Sequence, residues 1–223
     1  ARQTILGGAV ESFLFCYGGL QRDTGPKNIE ALRQNIPELL QVAQEVKKRK
    51  IIGIAAYKPA NSHPEEEARV FDFVGMMGLP MVPTHKFPTS FPVAFFSVHS
   101  LKDNEFLKNF KAYIGKGNIA FITDGLAKRI EDKINLNSSK IIVLKVSGNP
   151  KSLLQLSQTE LDEFRDKLLG PYKIKFKAPN KVGLYLFSDK SYVIENFKDQ
   201  SVEVEYNGKK ITIQPRNWIY EWK

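Results

Sequence analysis

Between Ile51 and Asp124 the chain alternates short, unbroken apolar runs with segments of helical period, and this alternation constrains the fold more than any other feature. The runs are Ile51–Tyr57, closed by Lys58-Pro59, then Met81-Val82-Pro83, Val93–Val98 and Asn118–Thr123. Between them, Glu65–Met77 carries Ala68, Phe71, Val74 and Met77 on one stripe, and Asn104–Ile114 carries Phe106, Leu107, Phe110 and Ile114. A strand reads as a continuous apolar run when helices bury both of its faces, which is the condition of a parallel sheet. Strands that alternate with helices give a doubly wound α/β layer.

The flanks follow different patterns. Residues 5–17 predict a strand from about Ala9 to Tyr17, ended by Gly18-Gly19. A helix is expected from about Asn28 to Lys48, with Ile29, Leu32, Ile36, Leu39, Leu40, Ala43 and Val46 on one stripe. Pro37 removes a backbone donor inside it and is expected to kink or split it. This β/α unit either extends the central sheet or ends a barrel whose earlier part precedes it. After Asp124 the pattern predicts a helix over 125–133 and a strand over 140–146. The breaker cluster Ser147-Gly148-Asn149-Pro150 follows. Thr159 and Asp162 have the spacing of a capping box for a helix that ends at Gly170-Pro171. The tail then changes period. Strands are expected over 182–187 and 191–197, joined by Ser188-Asp189-Lys190. Val202, Val204 and Tyr206 alternate with polar residues before the hairpin signal Asn207-Gly208, and Ile211 and Ile213 alternate after it. This predicts an antiparallel β meander, with Trp218–Trp222 as a further strand. The expected division is a β/α unit over 1–50, an α/β domain over 51–171 and a small antiparallel β domain over 172–223.

The net charge of +9 comes from 33 basic residues spread along the 223-residue chain. Their densest run, Lys47-Lys48-Arg49-Lys50, sits at an expected helix C-terminus, where cations are favoured. It lacks the interleaved aromatics of a nucleic-acid surface, so no nucleic-acid partner is expected. No apolar run approaches the roughly 20 residues that span a bilayer, and no membrane partner is expected. The single cysteine permits no internal disulfide. Residue 1 is Ala and no secretory signal is visible, so the chain reads as processed or as a piece of a longer protein.

No catalytic set is legible. Cys16, in Phe15-Cys16-Tyr17-Gly18, lacks the glycine that precedes the nucleophile in an elbow, and it is expected to be a buried strand residue. Glu11 lies early in its strand, away from the end where barrel enzymes keep catalytic groups. Glu65-Glu66-Glu67 reads as the acidic first turn of a helix. Gly75, Gly78, Gly115 and Gly117 read as helix C-terminal glycines and not as a phosphate loop. His63, His85 and His99 have no metal-ligand spacing, and no metal or cofactor is expected. Ligands of open α/β sheets bind outside the carboxyl ends of the strands. If the strands are parallel, Lys58, Asn61, His85, His99 and Asp124 all emerge on that edge and form the candidate ligand site. Such an edge suits a sugar or a protein partner.

The stretch from Pro92 to Ala127 supplies a resemblance. A strand, Pro-Val-Ala-Phe-Phe-Ser-Val-His-Ser, leads into a helix that ends at Gly115-Lys116-Gly117, and then into Asn-Ile-Ala-Phe-Ile-Thr-Asp-Gly. It resembles the class I glutamine amidotransferase-like domain, often called the trimerisation domain, of β-galactosidase-type glycoside hydrolases. The resemblance implies a flavodoxin-like parallel sheet with helices on both faces, preceded by a catalytic (β/α)8 barrel and followed by a small β domain. It also implies that this domain is itself non-catalytic. Residues 9–48 resemble the end of such a barrel, and the strands after Val182 resemble the β domain. The expected function is therefore that of a non-catalytic accessory or oligomerisation region of a carbohydrate-active protein. Its partner would be the barrel or further copies of the chain. The alternatives are a stand-alone carbohydrate- or protein-binding module and a cryptic hydrolase using Asp124, His85 or His99. The aromatic tail Trp218–Trp222 and the loop Phe87–Pro92 are the expected partner-facing patches, since aromatics are enriched at interface cores.

Overall fold

Gly53 divides the apolar run that opens the α/β region. Its φ of 150° suits a residue without Cβ, and a Cβ there would lie 2.1 Å from the Pro80 carbonyl oxygen. Ahead of it, β1 (Ile51–Ile52) pairs antiparallel with Leu186 and Phe187. Beyond it, β2 (Ile54–Tyr57) enters a parallel sheet. The expected single strand is thus two strands in two sheets. The computed structural model describes residues 2–9 and 26–223. The body of the strand expected from about Ala9 to Tyr17, with Glu11 and Cys16, lies outside the described residues.

The parallel sheet consists of β2, β3 (Met81–Thr84), β4 (Val93–Phe96), β5 (Ile119–Thr123) and β6 (Ile141–Leu144), in the order β3-β2-β4-β5-β6. All four of its pairings are parallel. The continuous apolar runs are explained by cover on both faces. Ala55, Tyr57, Ala94, Phe96, Ala120 and Ile122 lie in one core with α4 (Phe106–Gly115) and α5 (Asp124–Ile130). Ile54, Val93, Phe95 and Phe121 face the other way, toward α3 (Val70–Gly75) and α6 (Gln158–Leu169). That second core continues into the antiparallel part through Phe176, Leu184, Ile194, Val204 and Ile213.

Antiparallel strands β8 (Val182–Phe187), β9 (Tyr192–Asn196) and β12 (Trp218–Glu221) join β1 in the order β1-β8-β9-β12. A second sheet has the order β11-β10-β7, from β7 (Phe176–Lys177), β10 (Val202–Tyr206) and β11 (Lys209–Ile213). The expected meander is therefore two sheets, not one. The hairpin at Asn207-Gly208 forms as expected, with φ of 48° and 84°, and pairs Tyr206 with Lys209. Arg165, 1% exposed, ties the layers together: Nε donates to the Met77 carbonyl at 2.8 Å and an Nη donates to the Ala178 carbonyl at 2.5 Å.

The N-terminal helices α1 (Arg2–Leu6) and α2 (Pro26–Lys47) lie against the four-stranded sheet, with Leu6, Val42 and Val46 meeting Phe187, Val193 and Trp218. Despite Pro37, α2 is one uninterrupted helix. The aromatic tail is consumed by this packing. Trp218 is buried and donates from Nε1 to Glu38 at 3.0 Å, and Trp222 sits under Arg49. Phe87 likewise stacks on Phe96 in the chain's own core. Neither expected partner-facing patch is a free aromatic surface. The large apolar residues left exposed include Ile29, Ile36 and Leu40 of α2.

Two helix starts differ from expectation. The helix expected from Glu65 begins only at Val70, because Glu65 and Arg69 both take left-handed φ values (49° and 65°) and Glu67 turns inward. In α6 the capping box is Ser157 with Glu160, not Thr159 with Asp162. Its acid is the preferred Glu, whose longer arm reaches back to the Ser157 amide at 2.8 Å. Among the described residues no helix is long and apolar enough to cross a membrane.

Candidate functional site

Parallel pairing brings Lys58, His85, His99 and Asp124 to the carboxyl edge of the sheet, each just beyond the end of a different strand. Asn61 follows Lys58 in the same loop, exposed and left-handed, with φ of 55°. The chain leaves β2 toward β3 on one side and leaves β4 toward β5 on the other. Strand order therefore reverses between β2 and β4, the place where open α/β sheets receive ligands.

That point is filled from within. Ser97 ends β4 in an extended conformation, and a 3-10 turn over Val98–Lys102 begins beside it. The free amide at this turn, Val98 N–H, donates to Glu67 Oε2 at 3.0 Å. Glu67 is 2% exposed and arrives from the loop after β2. Gly125 makes room for it, since a Cβ there would stand 2.3 Å from Glu67 Oε1. Burial raises the Glu67 carboxyl above its ordinary range; the Thr123 hydroxyl and Val98 amide oppose this, and Asp124 adds to it. Glu67 Oε1, Ser97 Oγ and Ser100 Oγ are fully buried, with no hydrogen-bond partner among the described residues.

The edge residues divide into separate groups. His99 is buried beside Phe71, and its Nδ1 lies 2.8 Å from Ser62 Oγ. The Ser62 hydroxyl also lies 2.7 Å from the Pro59 carbonyl, and the direction of its bond with His99 Nδ1 follows the ring tautomer. Burial lowers the His99 pKa, and Lys58 and His63 lower it further, which favours the neutral ring. Asp124 begins α5 and accepts from the Val146 amide at 2.9 Å and the Ser147 amide at 3.0 Å, so it closes the β6 exit. Arg129 pairs with Glu65 and donates to the Gly125 carbonyl at 2.8 Å. Asp124 and Arg129 act structurally here, and Ser62–His99 is a hydroxyl–imidazole pair whose ring, among the described residues, has no carboxylate hydrogen-bonded to it. Among the described residues no group of three or more His, Cys, Asp or Glu is placed to hold a metal ion.

Lys58 and His85 have a second setting. Both line a crevice of about 720 Å3 on the α3 side of the sheet, between the β2–β3 edge, α3, α1 and the β8 segment Gly183–Tyr185. Asn61, His99 and Asp124 do not line it. Reading the sequence missed Glu67, Ser97 and Ser100. Ser62 and Pro64 ahead of Glu65 are themselves helix-start signals, so the sequence carries no local sign that Glu67 turns inward.

Comparison with known proteins returns no matching family model, no matching curated sequence and no matching solved structure.

Proposed function

We propose that this chain is a non-catalytic accessory region of a glycoside hydrolase-like protein, with a flavodoxin-like, amidotransferase-like core and an appended antiparallel β unit, and that it works by association. The observation that carries this reading is the Glu67 carboxylate on the Val98 amide at the strand-order reversal. In a catalytic version of such a site, backbone amides and a helix start face the ligand. Here the chain's own carboxylate takes that amide. The neighbouring Ser97 is wholly buried and extended, whereas a nucleophile elbow is a sharp turn that presents its side chain. The strand order 2-1-3-4-5, counted along the parallel sheet, is the flavodoxin-like one and supports the fold assignment.

The test has two arms. The coding sequence upstream of Ala1 is expected to specify a (β/α)8 barrel with two glutamates at strand ends. The 223-residue chain alone is expected to leave nitrophenyl glycosides intact and to bind that barrel or itself in sedimentation experiments. Turnover of a glycoside or amide by a monomer of this chain overturns the reading.

A further inference from the structure

We propose that the crevice between β3, α3 and β8 binds a small organic carboxylate with an apolar body. The site lies beside the plugged strand-order reversal and does not depend on it. Its volume of about 720 Å3 falls within the range of small-molecule sites, which are mostly apolar with a few placed polar groups. The walls follow that pattern. Phe71, Met76 and Met81 present apolar surface from α3, from the residue that ends it and from β3.

The charges select an anion. Lys58 and His85 stand at the ends of the adjacent strands β2 and β3, both exposed. Neither side chain has a hydrogen-bond or ion-pair partner among the described residues. The carboxylate lining the crevice, Asp72, is already engaged by Arg69 at 3.0 Å. Among the described residues the crevice therefore offers one uncommitted ammonium and one uncommitted imidazole, with no uncommitted carboxylate to repel an anion. A carboxylate accepts hydrogen bonds from both donors and leaves its body against the apolar wall. A fully hydroxylated ligand would have to desolvate its hydroxyls against Phe71, Met76 and Met81, which costs affinity.

The probe is phenylacetate, titrated into the isotope-labelled 223-residue chain and followed by amide chemical shifts. Phenylethanol is its neutral counterpart, and glucuronate is an anion without an apolar body. Saturable shifts are expected at residues 56–58, 71–76, 79–85 and 183–185. Binding of phenylethanol and of glucuronate is expected to be weaker by about fivefold, as is binding of phenylacetate to the double variant Lys58→Ala/His85→Ala. Both replaced side chains are exposed and unpartnered, so that variant keeps its fold, which its remaining shifts verify. Four outcomes each overturn the proposal: no saturable phenylacetate binding, shifts centred elsewhere, equal affinity for either control ligand, and undiminished binding by the folded double variant.

Discussion

The backbone N–H of Val98 donates to Glu67 Oε2 across 3.0 Å, joining the loop after β2 to the turn after β4. Because this carboxyl is buried, its removal leaves an amide without a partner. Glu67→Ala is expected to destabilise the fold by about 1–3 kcal/mol, the cost of an unsatisfied buried donor, measured by urea denaturation. Gly125→Ala should disturb the same contact, because the new Cβ competes with Glu67 Oε1 for space.

The same carboxyl gives a pH dependence with a definite sign. Its folded pKa is raised above the ordinary value of 4.5, chiefly by burial, so the fold favours the protonated form. The stability this contributes is fully present below about pH 4.5 and is lost as the pH rises through the raised folded value. Glu67→Gln keeps an acceptor for Val98 and cannot ionise. The stability difference between Glu67→Gln and the parent chain should therefore shift in favour of the variant as the pH rises from 4.5 to 8. A flat difference across that range would contradict the assignment.

Arg165 should be irreplaceable by lysine. Its guanidinium donates to the Met77 and Ala178 carbonyls and to Asp162, and lies over the Phe176 ring at 5.4 Å. Burial pulls its pKa down to about 10, and Asp162 partly restores it. Hydrogen bonds from charged groups are worth about 1.5–3 kcal/mol each; Arg165→Met loses all three, and the two to the buried carbonyls alone place the cost near 3 kcal/mol or above. Arg165→Lys lacks the planar fork and is expected to recover less than half of that loss in the same denaturation experiment.

The inner strands β2, β4 and β5 of the parallel sheet were legible because both of their faces are covered, so each reads as an unbroken apolar run; Val93–Phe96 and Ile119–Thr123 fall inside their expected spans. The hairpin at Asn207-Gly208 was legible from local backbone preference alone. What stayed hidden depends on tertiary placement. Alternation in the tail marks strands but not their partners, so the separation of β8–β9 from β10–β11 into two sheets had no local signal. Glu65-Glu66-Glu67 has the composition of a solvated helix turn, and nothing in it distinguishes the one glutamate that turns inward. The candidate edge was legible in part. The topology brings Lys58, His85, His99 and Asp124 to one side of the sheet. Which of them share a crevice depends on where α3 and β8 pack, and single-sequence periodicity does not encode that.

Gly53 and Gly208 provide the last contrast. Both have positive φ, 150° and 84°, so alanine is conformationally unfavourable at each. They differ in space. A Cβ at Gly208 meets no atom within 4 Å, whereas one at Gly53 would lie 2.1 Å from the Pro80 carbonyl oxygen. That oxygen accepts the Ile54 amide at 2.8 Å and so cannot retreat without loosening the first contact between β2 and the chain entering β3. Gly208→Ala should therefore cost only the backbone term, about 1–2 kcal/mol. Gly53→Ala adds overpacking to that term and should cost about 3 kcal/mol or more. It should also free β1 from β8, because Gly53 is the point at which the chain passes from one sheet to the other. Urea midpoints rank the two variants, and amide exchange at Ile52 and Ile54 reports on the junction itself. Equal destabilisation by the two substitutions would show that the Pro80 contact does not govern Gly53.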